Sequence, residues 1–178
     1  MNIVILSASI RNGRNSHRAA LYLNDYINSE TEADAEIFDL LEADFPLFKE
    51  RLQFLDNPPT DAVEYAEKID SADAVIVVSP EYNGGYPAAF KNAFDFLYSQ
   101  WQGKPIGLVS ASSGRFGGSQ VIQKLQLLYT KLGCQVMGPG VSIAFVQKAF
   151  DENGKIQNEE VETAMKKYVG RIINNISE

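Results

Sequence analysis

The sequence predicts an open, doubly wound α/β sheet of five parallel strands, and three observations carry that prediction. Short β-rich runs alternate with helical patterns five times along the chain. The runs read as continuous apolar stretches, the pattern of strands covered by helices on both faces. The length, 178 residues, is that of one domain, and 45% hydrophobic content is enough for a real core.

Ile3 to Ser7 is a short apolar run that reads as a buried strand, and Ala20, Leu23 and Ile27 follow at helical spacing. Ala35 to Leu40 is the second strand. Ala62, Ala66 and Ile69 mark a helix, for which Thr60 or Asp61 is the expected cap. Ala74-Val75-Ile76-Val77-Val78 is the strongest strand, and Phe90, Ala93, Phe94 and Leu97 behind it form a helical stripe. Pro105 to Ser110 is the fourth strand, followed by a helix through Val121, Leu125, Leu128 and Leu132. Val141 to Val146 is the expected fifth strand, and Val161, Met165, Tyr168 and Ile172 close the chain as an amphipathic helix. Parallel strands need crossover helices, and these are right-handed. Five strands fit the flavodoxin-like order 2-1-3-4-5 better than the six-stranded dinucleotide fold, so residues 1–178 are expected to form a single flavodoxin-like domain. Leu41 to Pro59 has no clear period. It is expected to be either a loop packed on its own domain or a lid or dimer contact near a ligand.

Bulk properties narrow the function. The net charge is -7, which disfavours nucleic acid as a partner. One cysteine, Cys134, allows no intramolecular disulfide and fits a reducing compartment. It reads as a small residue ahead of the last strand. With one histidine and no clustered partners, a zinc site is not expected. The opening apolar run is too short for a signal peptide and no run approaches a membrane span, so a cytoplasmic protein without membrane partners is the expectation.

In sheets of this kind ligands sit beyond the carboxyl ends of the strands, at the switch point, which singles out three loops. The first, Ser7 to His17, joins a strand to a helix and carries hydroxyls, an amide side chain, a glycine and two arginines. Backbone N–H groups at a helix start and hydroxyls suit a phosphate monoester, to which Arg11 or Arg14 can add a charge-assisted contact. The alternative is a solvated turn capped by Asn15 or Ser16, and His17 alone reads as structural or solvated. Neither G-x-G-x-x-G nor G-x-x-x-x-G-K-[ST] occurs. The second loop, Ser79 to Pro87, has two prolines that fix its path, two glycines, and the flat faces of Tyr82 and Tyr86, which suit a fused aromatic ring. The third, Ser110 to Ser119, is rich in small polar residues and glycine and can run along a ring edge. Taken singly, each has a bland reading as a turn. Together they suit a ligand with one phosphate and one large planar heterocycle, the form of FMN.

These residues carry a family resemblance over nearly the whole chain. Ser9-x-Arg11 with Asn15-Ser16 resembles the phosphate loop of the NADPH-dependent FMN reductases, a flavodoxin-like group that includes quinone, azo-dye and chromate reductases. Pro80-Glu81-Tyr82-Asn83-Gly84 with Pro87, Lys91, Asn92 and Ala93 resembles its P-E-Y-N…P…K-N-A signature, and Gly117-Gly118 its third-loop glycine pair. Arg14 stands where the family often has a small hydroxyl residue. The resemblance implies a homodimer or homotetramer in which FMN takes hydride from NADPH or NADH and passes it to a quinone, flavin or similar small acceptor. The flavin performs the chemistry, so no catalytic acid or base is assigned. On the same basis Ser9, Arg11, Asn15, Ser16 and His17 would bind the phosphate. Pro80, Glu81, Tyr82, Asn83 and Gly84 would flank the ring. Ser112, Ser113, Gly114 and Gly117 would approach its pyrimidine edge. Glu81 also reads as a salt bridge or a cap. The alternative function is a flavodoxin-type electron carrier without NAD(P)H turnover of its own.

Overall fold

The computed structural model describes residues 1–177. Five strands, β1 (Asn2–Ser7), β2 (Asp34–Asp39), β3 (Ala74–Pro80), β4 (Pro105–Ala111) and β5 (Gln135–Ile143), form one sheet in the order β2-β1-β3-β4-β5. Every pairing is parallel. The helices are α1 (His17–Glu30), α2 (Thr60–Ser71), α3 (Ala88–Phe96), α4 (Ser119–Lys131), the single turn α5 (Val146–Ala149) and α6 (Glu159–Ser177).

The two-residue period of a strand sorts the apolar runs into two cores. Val4, Leu6, Val75, Val77, Ile106 and Leu108 pack with residues of α2, α3 and α4. Ile3, Ile5, Ala74, Ile76, Val78 and Val109 pack with residues of α1 and α6. The first core is aromatic. Trp101 is fully buried, stacks on Phe94 with centroids 5.2 Å apart, and meets Tyr129 edge-on at 5.3 Å. Cys134 directly precedes β5, where its thiol donates to the Trp101 carbonyl at 3.0 Å and burial pushes its pKa up to about 11. It is a small buried core residue whose thiolate is suppressed at neutral pH.

Two local expectations are corrected. The fifth strand spans Gln135–Ile143, not Val141 to Val146. It is an edge strand, half-exposed and interrupted by Gly138-Pro139-Gly140, with a register shift opposite Gly107 and Val109. Its sequence therefore lacks the apolar run that marks the inner strands, while Val146 falls in α5. The cap of α2 is Pro59, with no side-chain capping bond; Thr60 is already helical, and Asp61 instead accepts from the Asp44 amide at 2.5 Å.

The segment from 41 to 59 packs on the first core through Phe45, Phe48, Leu52 and Leu55. Asn92 on α3 holds it, donating to the Pro46 carbonyl at 2.9 Å and accepting from the Phe48 amide at 2.8 Å. Leu47, 80% exposed, stands out of that packing. No helix among the described residues is long and apolar enough to cross a membrane, and no group of metal-ligating side chains occurs among them.

Candidate functional site

The chain order places a switch point between β1 and β3, because β1 is followed by β2 on one side while β3 pairs on its other side. The three loops converge at the carboxyl edge beside it. They enclose a cavity of about 220 Å³. Of the residues singled out in the sequence, Ser9, Arg11, Asn15, Ser16, Pro80, Glu81, Tyr82, Ser112 and Ser113 line it. Gly13, Arg14, Ala111 and Val146 join them. His17, Asn83, Gly84, Gly114 and Gly117 are not part of its lining.

The first loop is held by its own charges. Both arms of the Arg14 guanidinium bond the Asp39 carboxylate at the end of β2, and one also donates to the Ser9 carbonyl at 2.7 Å. The pair is largely buried, so Arg14 serves as an internal tie, and Arg11 keeps an exposed cation at the cavity. Burial opposes ionisation of Asp39, but hydrogen bonds from Arg14 and the Leu41 amide, with the Arg14 charge, outweigh it and hold the carboxyl below its ordinary range. His17 turns toward the sheet: Nδ1 lies 3.0 Å from Ser7 Oγ and 3.6 Å from Asp39. Burial and then the Arg14 charge lower its pKa against the pull of Asp39 and Glu42, so the ring is neutral at pH 7 and its contact with Asp39 is not an ion pair. At the start of α1 the amides of Asn15, Ser16 and His17 have no backbone acceptor among the described residues. Ser16, buried at the N-cap position, makes no side-chain capping bond. These free donors, with Ser9 and Arg11, are a set of the kind that holds an anion.

The second loop is a tight turn. Tyr82 and Gly85 exchange both backbone hydrogen bonds, at 2.8 and 3.0 Å, around Asn83 and Gly84 with φ of 51° and 74°. An Asn-Gly pair is the favoured occupant of those two left-handed positions. The turn sets Tyr82 so that its hydroxyl meets Ser9 Oγ at 2.8 Å, joining the first two loops. Glu81 accepts from the amides of Gln120 and Val121 at 3.0 and 3.2 Å, which makes it a cap for α4 supplied from the loop after β3. Among the described residues it is the sole carboxylate on the cavity wall.

The third loop is held by backbone. A Cβ at Gly117, where φ is 61°, would lie 2.8 Å from the Ser142 and Ile143 backbone, and Ser110 Oγ donates to the Gly117 carbonyl at 2.8 Å. The Val146 amide donates to the Ser112 carbonyl at 3.0 Å, and the Gly114 amide to Ser112 Oγ at 3.1 Å.

A larger hollow of about 800 Å³ lies alongside, between the 41–59 segment and the start of α3, and shares no lining residue with the cavity. Its walls are mostly apolar; Lys91 is paired with Asp95, and Asn92 is spent on the segment. It lacks the donors that the smaller cavity collects.

Asp39 was not visible as a site residue in the sequence. Its one signal is position: it ends the strand beside β1 in the expected order, at the same edge as the first loop.

The chain is similar to an NAD(P)H-dependent FMN reductase of Saccharomyces cerevisiae, 33% identical over 156 residues covering 80% of each chain. It is similar to a quinone reductase of Escherichia coli, 30% identical over 141 residues, 77% of this chain and 73% of the other. Among solved structures, the flavoenzyme NAD(P)H:(acceptor) oxidoreductase from Paracoccus denitrificans superposes with a TM-score of 0.84 over 99% of this chain and 97% of its own, at 22% identity, which speaks for the shared fold. Residues 1–148 match the NADPH-dependent FMN reductases as a family, and the chain belongs to that family of oxidoreductases.

Proposed function

We propose that the three-loop cavity holds FMN and that the protein passes reducing equivalents from NAD(P)H to a quinone, flavin or similar small acceptor. The observation that carries this reading is the pairing of two chemistries in one cavity. One end has free amides, Ser9, Ser16 and Arg11; the other has Tyr82, the turn behind it and the polar backbone of Ser112 and Ser113. The residues fit a phosphate at the first end and a planar ring at the second. Bound FMN would supply the redox chemistry, accepting hydride from the reduced nicotinamide and returning it to the acceptor.

The chain's own residues bind and orient. Arg11 and the α1 amides neutralise the phosphate, and the Ser9–Tyr82 bond keeps the phosphate and ring ends in register. Arg14, locked by Asp39, fixes the loop path. Glu81 holds the start of α4 against the ring loop. The family resemblance adds assembly as a homodimer or homotetramer and a cytoplasmic setting to this proposal.

The purified protein should show flavin absorption bands, as isolated or after adding FMN, that bleach with NADPH and recover in air. Stopped-flow reduction by NADPH no faster than that of free FMN would instead indicate an electron carrier.

A further inference from the structure

Charge is unevenly supplied at the end of the cavity that would take the FMN phosphate. Among the described residues, Arg11 and Arg14 are the cations on its wall. Arg14 is already matched by Asp39, in a pair whose side chains are 11% and 7% exposed. A phosphate monoester brings about two negative charges at neutral pH, and Arg11 carries one positive charge. The α1 amides and the hydroxyls of Ser9 and Ser16 add hydrogen bonds but no net charge.

A further charge is available behind the wall. His17 is the protein's single histidine and the first residue of α1. Its amide is one of the free donors at that helix start, while its ring lies against Ser7 of β1 and Asp39 at the end of β2. Arg14 from the first loop and Glu42 from the turn after β2 are the other charged groups that face it. The ring can change charge there without moving. Ser7 Oγ, 3.0 Å from Nδ1, accepts from a protonated nitrogen or donates to a bare one, so that side of the ring is satisfied in both states. Asp39, 3.6 Å from the same nitrogen, stabilises the added charge. Burial and the Arg14 charge keep the ring neutral at pH 7. An anion held on the helix amides places opposite charge next to it in the chain, which favours the protonated form.

We propose that His17 senses the phosphate of the flavin: binding of FMN draws a proton from solvent onto its ring, and the site thereby favours FMN over unphosphorylated flavin. Both ring nitrogens are then donors, with Nδ1 facing Ser7 and Asp39. Riboflavin, which has the same ring system and no phosphate, leaves the imidazole neutral. This rests on the reading of the cavity as an FMN site, and it gives a specificity role to a residue outside the cavity lining.

With one histidine in the chain, the imidazole C2 proton gives a single NMR signal that reports the charge of this ring. The full chain, prepared free of flavin, is titrated between about pH 5 and 8 alone, with FMN and with riboflavin. The midpoint moves upward with FMN and stays in place with riboflavin. This titration uses the wild type and stands without any variant. Calorimetry adds a second readout. His17→Gln keeps a polar partner for Ser7 but cannot ionise, and it weakens FMN binding roughly fivefold at about pH 6 and little at about pH 8. A merely structural role would weaken FMN and riboflavin alike at both pH values, and that result overturns the proposal. An unmoved midpoint with FMN bound, or an equal shift with riboflavin, overturns the role of His17 and leaves the proposed function standing. No binding of FMN, with no flavin bands, overturns the proposed function and this inference together.

Discussion

The first and third loops leave the same sheet edge and flank the same cavity, yet they are held in opposite ways. The first is fixed by a largely buried ion pair: Arg14 is consumed by Asp39 and the Ser9 carbonyl. The third is fixed by the absence of a side chain at Gly117 and by backbone bonds to the end of β5. The contrast explains how the positive charge is divided. In the first loop one arginine supports structure and Arg11 remains exposed; in the third, Arg115 is in no ion pair among the described residues and lies over the exposed Phe116 ring.

The sharpest way to break the comparison is Asp39→Ala. It leaves the Arg14 charge partly buried without its carboxylate, at a cost of about 3 kcal/mol, the low end for a broken buried pair because the Ser9 carbonyl remains. Denaturant unfolding reads this, and FMN affinity should fall with it as the loop loosens. The matching change in the third loop, Gly117→Ala, sets a Cβ against backbone in a left-handed conformation and should cost about 2–3 kcal/mol. If it instead left stability intact, backbone contact would not be what holds that loop.

Arg11→Ala separates binding from folding. It should weaken FMN by about 1.5–3 kcal/mol with little change in stability; an unchanged dissociation constant would remove Arg11 from the site. Glu81→Ala deletes the borrowed cap of α4 and should cost about 1 kcal/mol.

The smallest effect is in pH dependence. The lowered pKa of His17 means the unfolded chain takes up its proton first, so stability begins to fall as pH drops below about 6.5. The depressed Asp39 adds its loss only at more acid pH, where the unfolded chain's carboxyl takes up a proton before the folded one does. His17→Gln should remove the first of these declines from a series of denaturant midpoints and leave the second.

The inner sheet was legible because β1, β3 and β4 are apolar on both faces, and such runs can be read without tertiary information. β5 was not, since an edge strand half in solvent and broken by Gly138-Pro139-Gly140 has no apolar run to read. At the cavity, the residues that line it by local sequence were legible: the loop from Ser9 to Ser16 and the Pro80–Tyr82 stretch. What the sequence could not show were partnerships across the fold. Arg14 finds Asp39 twenty-five residues away, and Glu81 finds the start of α4 thirty-nine away. His17, expected with the phosphate donors, is drawn to Ser7 and Asp39 by the same long-range geometry.

The interruption of β5 also limits what can be added to that edge of the sheet. At the outer margin of the sheet, Pro139 offers no N–H, while Arg171 and Gln126 already bond the carbonyls of Gly138 and Pro139. At these two residues an incoming strand would find no Pro139 N–H to accept from and two carbonyls already taken. Strand addition is thereby hindered along this part of the margin, whereas β2, the strand at the opposite margin, carries no such interruption.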